Sequence, residues 1–341
     1  MVSTAPDFSR LIPLGAHGHE NETIPPGEAA AMAKISALIE AKVRAQAQTG
    51  PARRDAHPKG HGCVRAIFRV LDTVPGALKA GVLAKPATFQ CWMRFSNGSD
   101  TPQADKAGDV RGMAIKLMDV AGSRCGSQDF ILINSPVLFA RNAVDYVDFI
   151  TADPRWRFFV PGFNPFAWRF AEAWAAFRMA RRKLANPLDA LYFSVTPFAL
   201  GSQVVKYSAR PLGPPSAFSN TGGRDFLHDN LVAHLAQGRA EFEFSVQVRG
   251  KPADMPVEDV VVEWDEAEAP FTPVARITIE AQGFDDPARR AFCENLSFSP
   301  WQGLDAHCPL GGINRVRRVV YETVSALRHG LNGAERREPE G

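Results

Sequence analysis

Nine short runs rich in β-branched and aromatic residues, parted by Gly, Pro and Asp turns, limit what this chain can fold into. A first series begins at Cys63 with VRAIFRV, FQCWMRFS, RGMAIKLMDV and DFILINSPVLF; a second comprises LYFSVTPF, VVKYSARP, AEFEFSVQVR, VEDVVVEW and VARITIEA. Runs of this length and composition are strands of an antiparallel sheet. Three segments break the pattern. EAAAMAKISALIEAKVRAQAQ, with Ile35, Leu38, Ile39 and Val43 at helical spacing, is an amphipathic helix. Arg155 to Leu184 reads as a second helix, heavily aromatic on its apolar face and basic at its end. RVRRVVYETVSAL, opened by GGIN and closed by basic residues and Gly330, reads as a third. Many short strands with helices between the sets predict an α+β fold, a large antiparallel β-barrel with helices packed outside it. With no internal repeat or low-complexity linker, the expected division is an arm and helix over 1–50, one barrel domain over 51–330 and a polar tail over 331–341. The domain carries the inserted helix at about 155–185 and the last helix at about 313–328.

The chain has 341 residues, 45% of them hydrophobic, enough for a sizeable core. With 39 basic against 37 acidic side chains it has no general attraction for nucleic acid or anionic lipid. The first fifty residues show no signal peptide and no run approaches bilayer length, so a cytoplasmic location is expected. Five scattered cysteines, with no C-x-x-C pair, point to reduced structural thiols.

Two places could carry chemistry. On the last predicted helix Arg317 precedes Tyr321 by four residues and Arg328 follows it by seven, so both share its face. A guanidinium at hydrogen-bond distance favours phenolate over a phenol of pKa about 10, and Fe(III) favours it further. Taken alone, R-x-x-x-Y is a common surface pattern. In RRDAHPKGHGC, Arg54 precedes His57 by three, and Gly60 and Gly62 release the chain into a strand. A neutral imidazole held inward there could move a proton. Alone, His57 and His61 are ordinary loop histidines, and no third ligand at suitable spacing supports zinc.

The order of further motifs is more specific. MRFSNGSD, DVRGMAIKLMDV and QDFILINSPVLFARNAVDYVDFI resemble the R-F-S segment, the R-G-x-A-x-K strand and the N-x-P-x-x-F strand of catalases. VKYSARP, the FSP of LSFSPW, and R-x-x-x-Y with a second arginine seven residues on are also similar to that superfamily, over roughly Arg53 to His329. The resemblance implies a catalase-like barrel binding haem b (iron protoporphyrin IX). It makes Tyr321 the proximal iron ligand, Arg317 its supporting arginine and His57 the distal catalytic histidine. Arg54, Arg94 and Arg328 would hold the haem propionates, and Ser96 would hydrogen-bond the histidine.

Three positions depart from the pattern. Aligned on Pro136 without gaps, the family's distal asparagine falls on Ile133, with Asn134 one residue later. Either a bulge presents Asn134 as the catalytic amide or the distal side lacks one. The aromatic expected to stack on haem is Tyr146 rather than phenylalanine, and Ala56, smaller than the valine of true catalases, opens the distal side. The chain also resembles catalases without their flavodoxin-like C-terminal domain and long wrapping segments, which implies a more accessible haem channel.

The resemblance therefore implies a haem peroxidase that cleaves hydrogen peroxide or an organic hydroperoxide heterolytically, uses a small reducing donor and has weak catalase activity. The alternatives are a fatty-acid hydroperoxide isomerase resembling coral allene oxide synthase, a non-catalytic haem-binding protein, and a metal-free structural module. A homo-oligomer such as a dimer is expected. For the rings between Trp156 and Phe177, cover for the barrel or a dimer contact takes precedence over a membrane-facing surface.

Overall fold

The computed structural model describes residues 4–16, 21–336 and 339. Its strands are β1 (Gly60–Val70), β2 (Thr88–Asn97), β3 (Arg111–Leu117), β4 (Gln128–Ile133), β5 (Tyr192–Phe193), β6 (Phe198–Leu200), β7 (Gln203–Leu212), β8 (Ala240–Val248) and β9 (Phe271–Ile279). The order is β5-β4-β3-β2-β1-β9-β8-β7-β6, and β5 also pairs with β7. That last pairing closes an eight-strand antiparallel barrel, with β6 a short hairpin on β7. The helices are α1 (Glu28–Gln46), α2 (Ala143–Thr151), α3 (Phe170–Ala180), α4 (Phe226–Leu235), α5 (Pro287–Asn295) and α6 (Gly312–Asn332). The expected α+β barrel with outer helices is the observed architecture.

Alternation along the strands fills the barrel. Val64, Ala66, Phe68 and Val70 of β1, Cys91, Met93 and Phe95 of β2, and Met113, Ile115 and Leu117 of β3 share one buried cluster. Phe130 packs against Tyr207 and Phe244 with ring centroids 5.0 and 4.9 Å apart. Each such ring contributes about 1.5–3 kcal/mol on burial, so the interior is a packed core. A sizeable ligand must therefore bind outside the barrel.

The alternate residues of β2, β3 and β4 point outward beneath α6. Val316, Val320, Val324 and Leu327 of α6 pack with Ala31, Ile35, Ile39 and Val43 of α1 and with Ala143 and Val147 of α2. The N-terminus of α6 is pinned by carboxylates: Glu22 accepts from Gly311 N at 2.8 Å and Glu258 from Gly312 N at 2.7 Å. Arg315, one turn in, bonds Glu22, Glu28 and Glu258. Anionic groups at the amino end satisfy the free N–H groups of the first turn.

Several expectations need correction. VEDVVVEW forms no strand: Val257 and Val260 plug two separate apolar clusters, while Glu258 between them turns to α6. LYFSVTPF splits into β5 and β6, because Val195 adopts φ 64° and Pro197 supplies no donor. Gly330 lies inside α6, which runs to a left-handed Gly333; Asn332 holds the final turn through both backbone groups of Ala52. From Arg155 to Leu184 only α3 is α-helical, preceded by two short 3₁₀ turns, Arg155–Phe158 and Pro165–Ala167, with Pro161 and a left-handed Gly162 between them. Phe158 is buried, but Trp156, Phe163, Phe166, Phe170, Trp174 and Phe177 are exposed and do not cover the barrel.

Candidate active site

Between the outer face of β2–β4 and α6 lies a partly open cavity. Arg94, Ser96, Gly112, Ala114 and Ile131 form its barrel wall, and Val320, Tyr321, Val324, Ser325 and Arg328 its helix wall. Those helix positions recur every three to four residues, so one face of α6 supplies them all. The arm from Arg54 to His57 and the pair Ser297 and Phe298 close the edges.

His57 is fixed from three sides on the barrel wall. Its backbone has φ 60°, a left-handed conformation uncommon outside glycine. Arg94 Nη2 stabilises that turn by donating to the His57 carbonyl at 2.9 Å, and His57 Nδ1 lies 3.0 Å from Ser96 Oγ. The ring rests on Gly112, where a Cβ would come within 2.7 Å of it. Burial first, then the charges of Arg94 and Arg317, lower the imidazole pKa to about 3. The ring is therefore neutral throughout the physiological range. Gly112 lay within a motif visible in the sequence, but its requirement appears only when strand β3 meets the His57 ring.

Tyr321 faces the same cavity from α6 and packs beside Tyr146 in the cluster joining α1, α2 and α6. Tyr146 does not line the cavity, and burial, followed by the Asp55 charge, pushes its phenol pKa up. Arg317 donates to Thr196 Oγ1 at 3.1 Å and Asn314 Oδ1 at 3.3 Å. Among the described residues no hydrogen bond joins it to Tyr321. Helical spacing put the two on one side, but Thr196 of the β5–β6 link and Asn314 of α6 itself take the guanidinium's hydrogen bonds.

Three arginines converge at one end. Arg54 donates to the carbonyls of Cys293 and Leu296 at 2.9 and 2.5 Å, and to Glu294 Oε2 at 3.2 Å. Arg328 bonds the carbonyls of Glu294 and Leu296, and Arg94 completes the group. The Nε atoms of Arg94 and Arg328 are buried without a partner. Burial, then the charge of a neighbouring arginine, lowers both Arg54 and Arg328. The carbonyls that orient these arginines come from the end of α5 and the residues after it. Helix α5 was not anticipated, although Asp286 and Pro287 are a recognisable start: the aspartate caps Arg289 N at 2.7 Å.

Strand β4 ends at Ile133, so Asn134 is not bound by strand alternation. Its N–H donates to the Arg111 carbonyl at 2.9 Å and its Oδ1 accepts from Arg111 N at 2.7 Å. It is tied to the residue preceding Gly112 and does not line the cavity. Ile133 packs away with Met179, Val195, Val260 and Ile313, which leaves Ile131 as an outward-facing β4 residue on the cavity wall. Ala56 lines the cavity as well.

The residues present fit haem. A phenol and an imidazole stand on the two walls, largely apolar positions lie between them, and buried guanidinium groups with spare donors suit paired carboxylates.

The family model described as Catalase matches residues 28–159. A catalase-related peroxidase of Mycolicibacterium paratuberculosis is 27% identical over 320 residues, covering 87% of this chain and 96% of that protein. Among solved structures, a fungal catalase matches with a TM-score of 0.63 at 17% identity over 85% of this chain. A bacterial catalase matches with a TM-score of 0.64 at 16% identity over 89% of it. In both cases the match spans 63% of the solved catalase, and at these identities it speaks for the fold. The barrel, the family model over residues 28–159 and a relative matched along nearly its whole length make this chain similar to catalases and, in its shorter length, to a catalase-related peroxidase.

Proposed function

We propose that this chain is a haem-dependent peroxidase that cleaves hydrogen peroxide or organic hydroperoxides heterolytically, with weak catalase activity. The observation that carries the proposal is the placement of His57 and Tyr321 on the two walls of one cavity with Arg54, Arg94 and Arg328 at its end. In this reading Tyr321 is the iron ligand and the three arginines hold the propionates. Haem bound there would supply a redox-active iron able to accept oxidising equivalents from peroxide and pass them to a small donor.

The chain's own part is proton movement and positioning. With Nδ1 engaged by Ser96, His57 Nε2 is the nitrogen left to take the proton from the near peroxide oxygen and return it to the far one. Departure of water or an alcohol then needs no separated charge. Arg94 and Gly112 set the position of the imidazole, and its low basicity keeps it unprotonated before the peroxide arrives. Asn134 acts from behind as a positioning residue, holding the end of β3 that carries Gly112. With Ile131 on the wall and no side-chain amide lining it among the described residues, peroxide cleavage is favoured over the second half of a catalase cycle.

The test is absorption spectroscopy of the haem-loaded protein with and without peroxide, beside oxidation of a small phenolic donor. Tyr321→Phe should lose or greatly weaken haem retention. His57→Ala should retain haem and lose peroxide cleavage, by about two to four orders of magnitude. Undiminished turnover in His57→Ala would overturn the mechanism.

A further inference from the structure

The segment 155–183 inverts the usual surface pattern. Phe163 and Phe166 are fully exposed, at 103% and 99%, in the turn preceding α3. On α3 itself Phe170, Trp174 and Phe177 follow at helical spacing and face outward at 65%, 61% and 47%. The opposite face, with Glu172, Ala175 and Met179, is buried. Surface helices of water-soluble proteins normally turn their large apolar residues inward. Six exposed rings, counting Trp156, make a concentrated apolar surface of the kind that marks an interaction site.

Charge identifies the occupant. The segment carries Arg155, Arg157, Arg169, Arg178, Arg181, Arg182 and Lys183; Arg155, Arg169 and Arg178 pair with Asp100, with Asp145 and Asp148, and with Glu263 of neighbouring segments, so Arg157, Arg181, Arg182 and Lys183 supply the outward charge. Its single acid, Glu172, is buried and paired with Arg141. Aromatic rings flanked by cations of one sign match the layering of an anionic bilayer surface, with acyl boundary beneath and phosphate above. A two-fold contact with a second copy would instead set the patch against itself, cation facing cation.

The patch also adjoins the cavity. Met179 packs with Ile133, which faces outward on β4 two residues from cavity-lining Ile131. At the other end Arg155 reaches Asp100, Asp100 holds Lys42, and Lys42 holds Asp55 at the cavity edge, over 3.4, 2.9 and 2.8 Å.

We infer that the exposed aromatic and basic face of residues 155–183 docks this protein on the surface of an anionic lipid bilayer beside the cavity. The inference does not depend on the peroxide chemistry. It is tested by flotation of the purified full-length protein with vesicles of phosphatidylcholine alone or mixed equally with phosphatidylglycerol, alongside sedimentation velocity without lipid. Flotation with the anionic vesicles, weakened by salt, is expected. Phe163→Ser/Phe166→Ser should lower partitioning about tenfold for each ring removed, and Arg181→Glu/Lys183→Glu should lower it by a similar factor, with melting temperatures unchanged. Equal binding to neutral vesicles, or binding to neither, would overturn the inference. So would a dimer that Phe163→Ser/Phe166→Ser dissociates in a protein that binds no vesicles.

Discussion

At the residue scale, the site depends on small and charged groups that constrain a large one. His57 was singled out in the sequence because a resemblance in motif order pointed to it as the proton carrier. The support beneath it was not, since Gly112 is separated from it by 55 positions and meets it only through the β2–β3 pairing. Gly112→Ala should push the ring off the strand: haem binding, read by the Soret absorption, is expected to survive while peroxide cleavage falls at least tenfold. Arg54 and Arg328 were likewise singled out by that resemblance as expected anion partners, but the carbonyls around the end of α5 that orient them were not legible. Replacing either arginine by alanine removes one charge-assisted pair, and haem affinity should fall about tenfold or more, measured by titration. Unchanged affinity would reassign the arginine cluster to structure alone.

At the element scale, α6 carries the helix wall, so its anchoring governs the geometry of the cavity. Arg315 sits in a largely buried site with three carboxylates, and Arg315→Ala would leave them without their counter-charge. A stability loss of about 3–5 kcal/mol is expected, read from the urea midpoint, and a change within error would show the anchor to be dispensable. The strands were legible because inward alternation is a local pattern. VEDVVVEW carried the same composition, yet it became a loop because Glu258 is needed at the α6 N-terminus. The 155–184 segment had helical composition over its whole length, but its prolines and Gly162 confine regular helix to Phe170–Ala180.

At the scale of the whole molecule, the barrel buries neutral histidines whose protonation it resists. Burial lowers His57 and His307 to about 3 and His61 to about 4. These folded-state values lie below the unfolded value of about 6.5, so the unfolded chain takes up protons first as pH falls. Their contribution to stability is whole above pH 6.5 and declines as pH falls to about 4 for His61 and about 3 for His57 and His307. Near pH 5 three such protons give a slope of up to about 4 kcal/mol per pH unit. Urea melts at pH 7, 6 and 5 should show this decline, and a flat profile would contradict the neutral assignments. The closed barrel also explains why the cavity lies where it does: side chains fill the interior, so the space between barrel and α6 must serve. Motif order exposed the likeness to catalases. Which outer face would be left uncovered, and by which rings, depended on folding beyond local pattern.

The most direct test of the central claim, that Tyr321 and His57 flank a bound haem, is the absorption spectrum of the haem-reconstituted protein compared with that of Tyr321→Phe. A high-spin ferric, tyrosinate-type spectrum that is lost or greatly weakened in the variant is expected. An identical spectrum and haem affinity in the two proteins would contradict it.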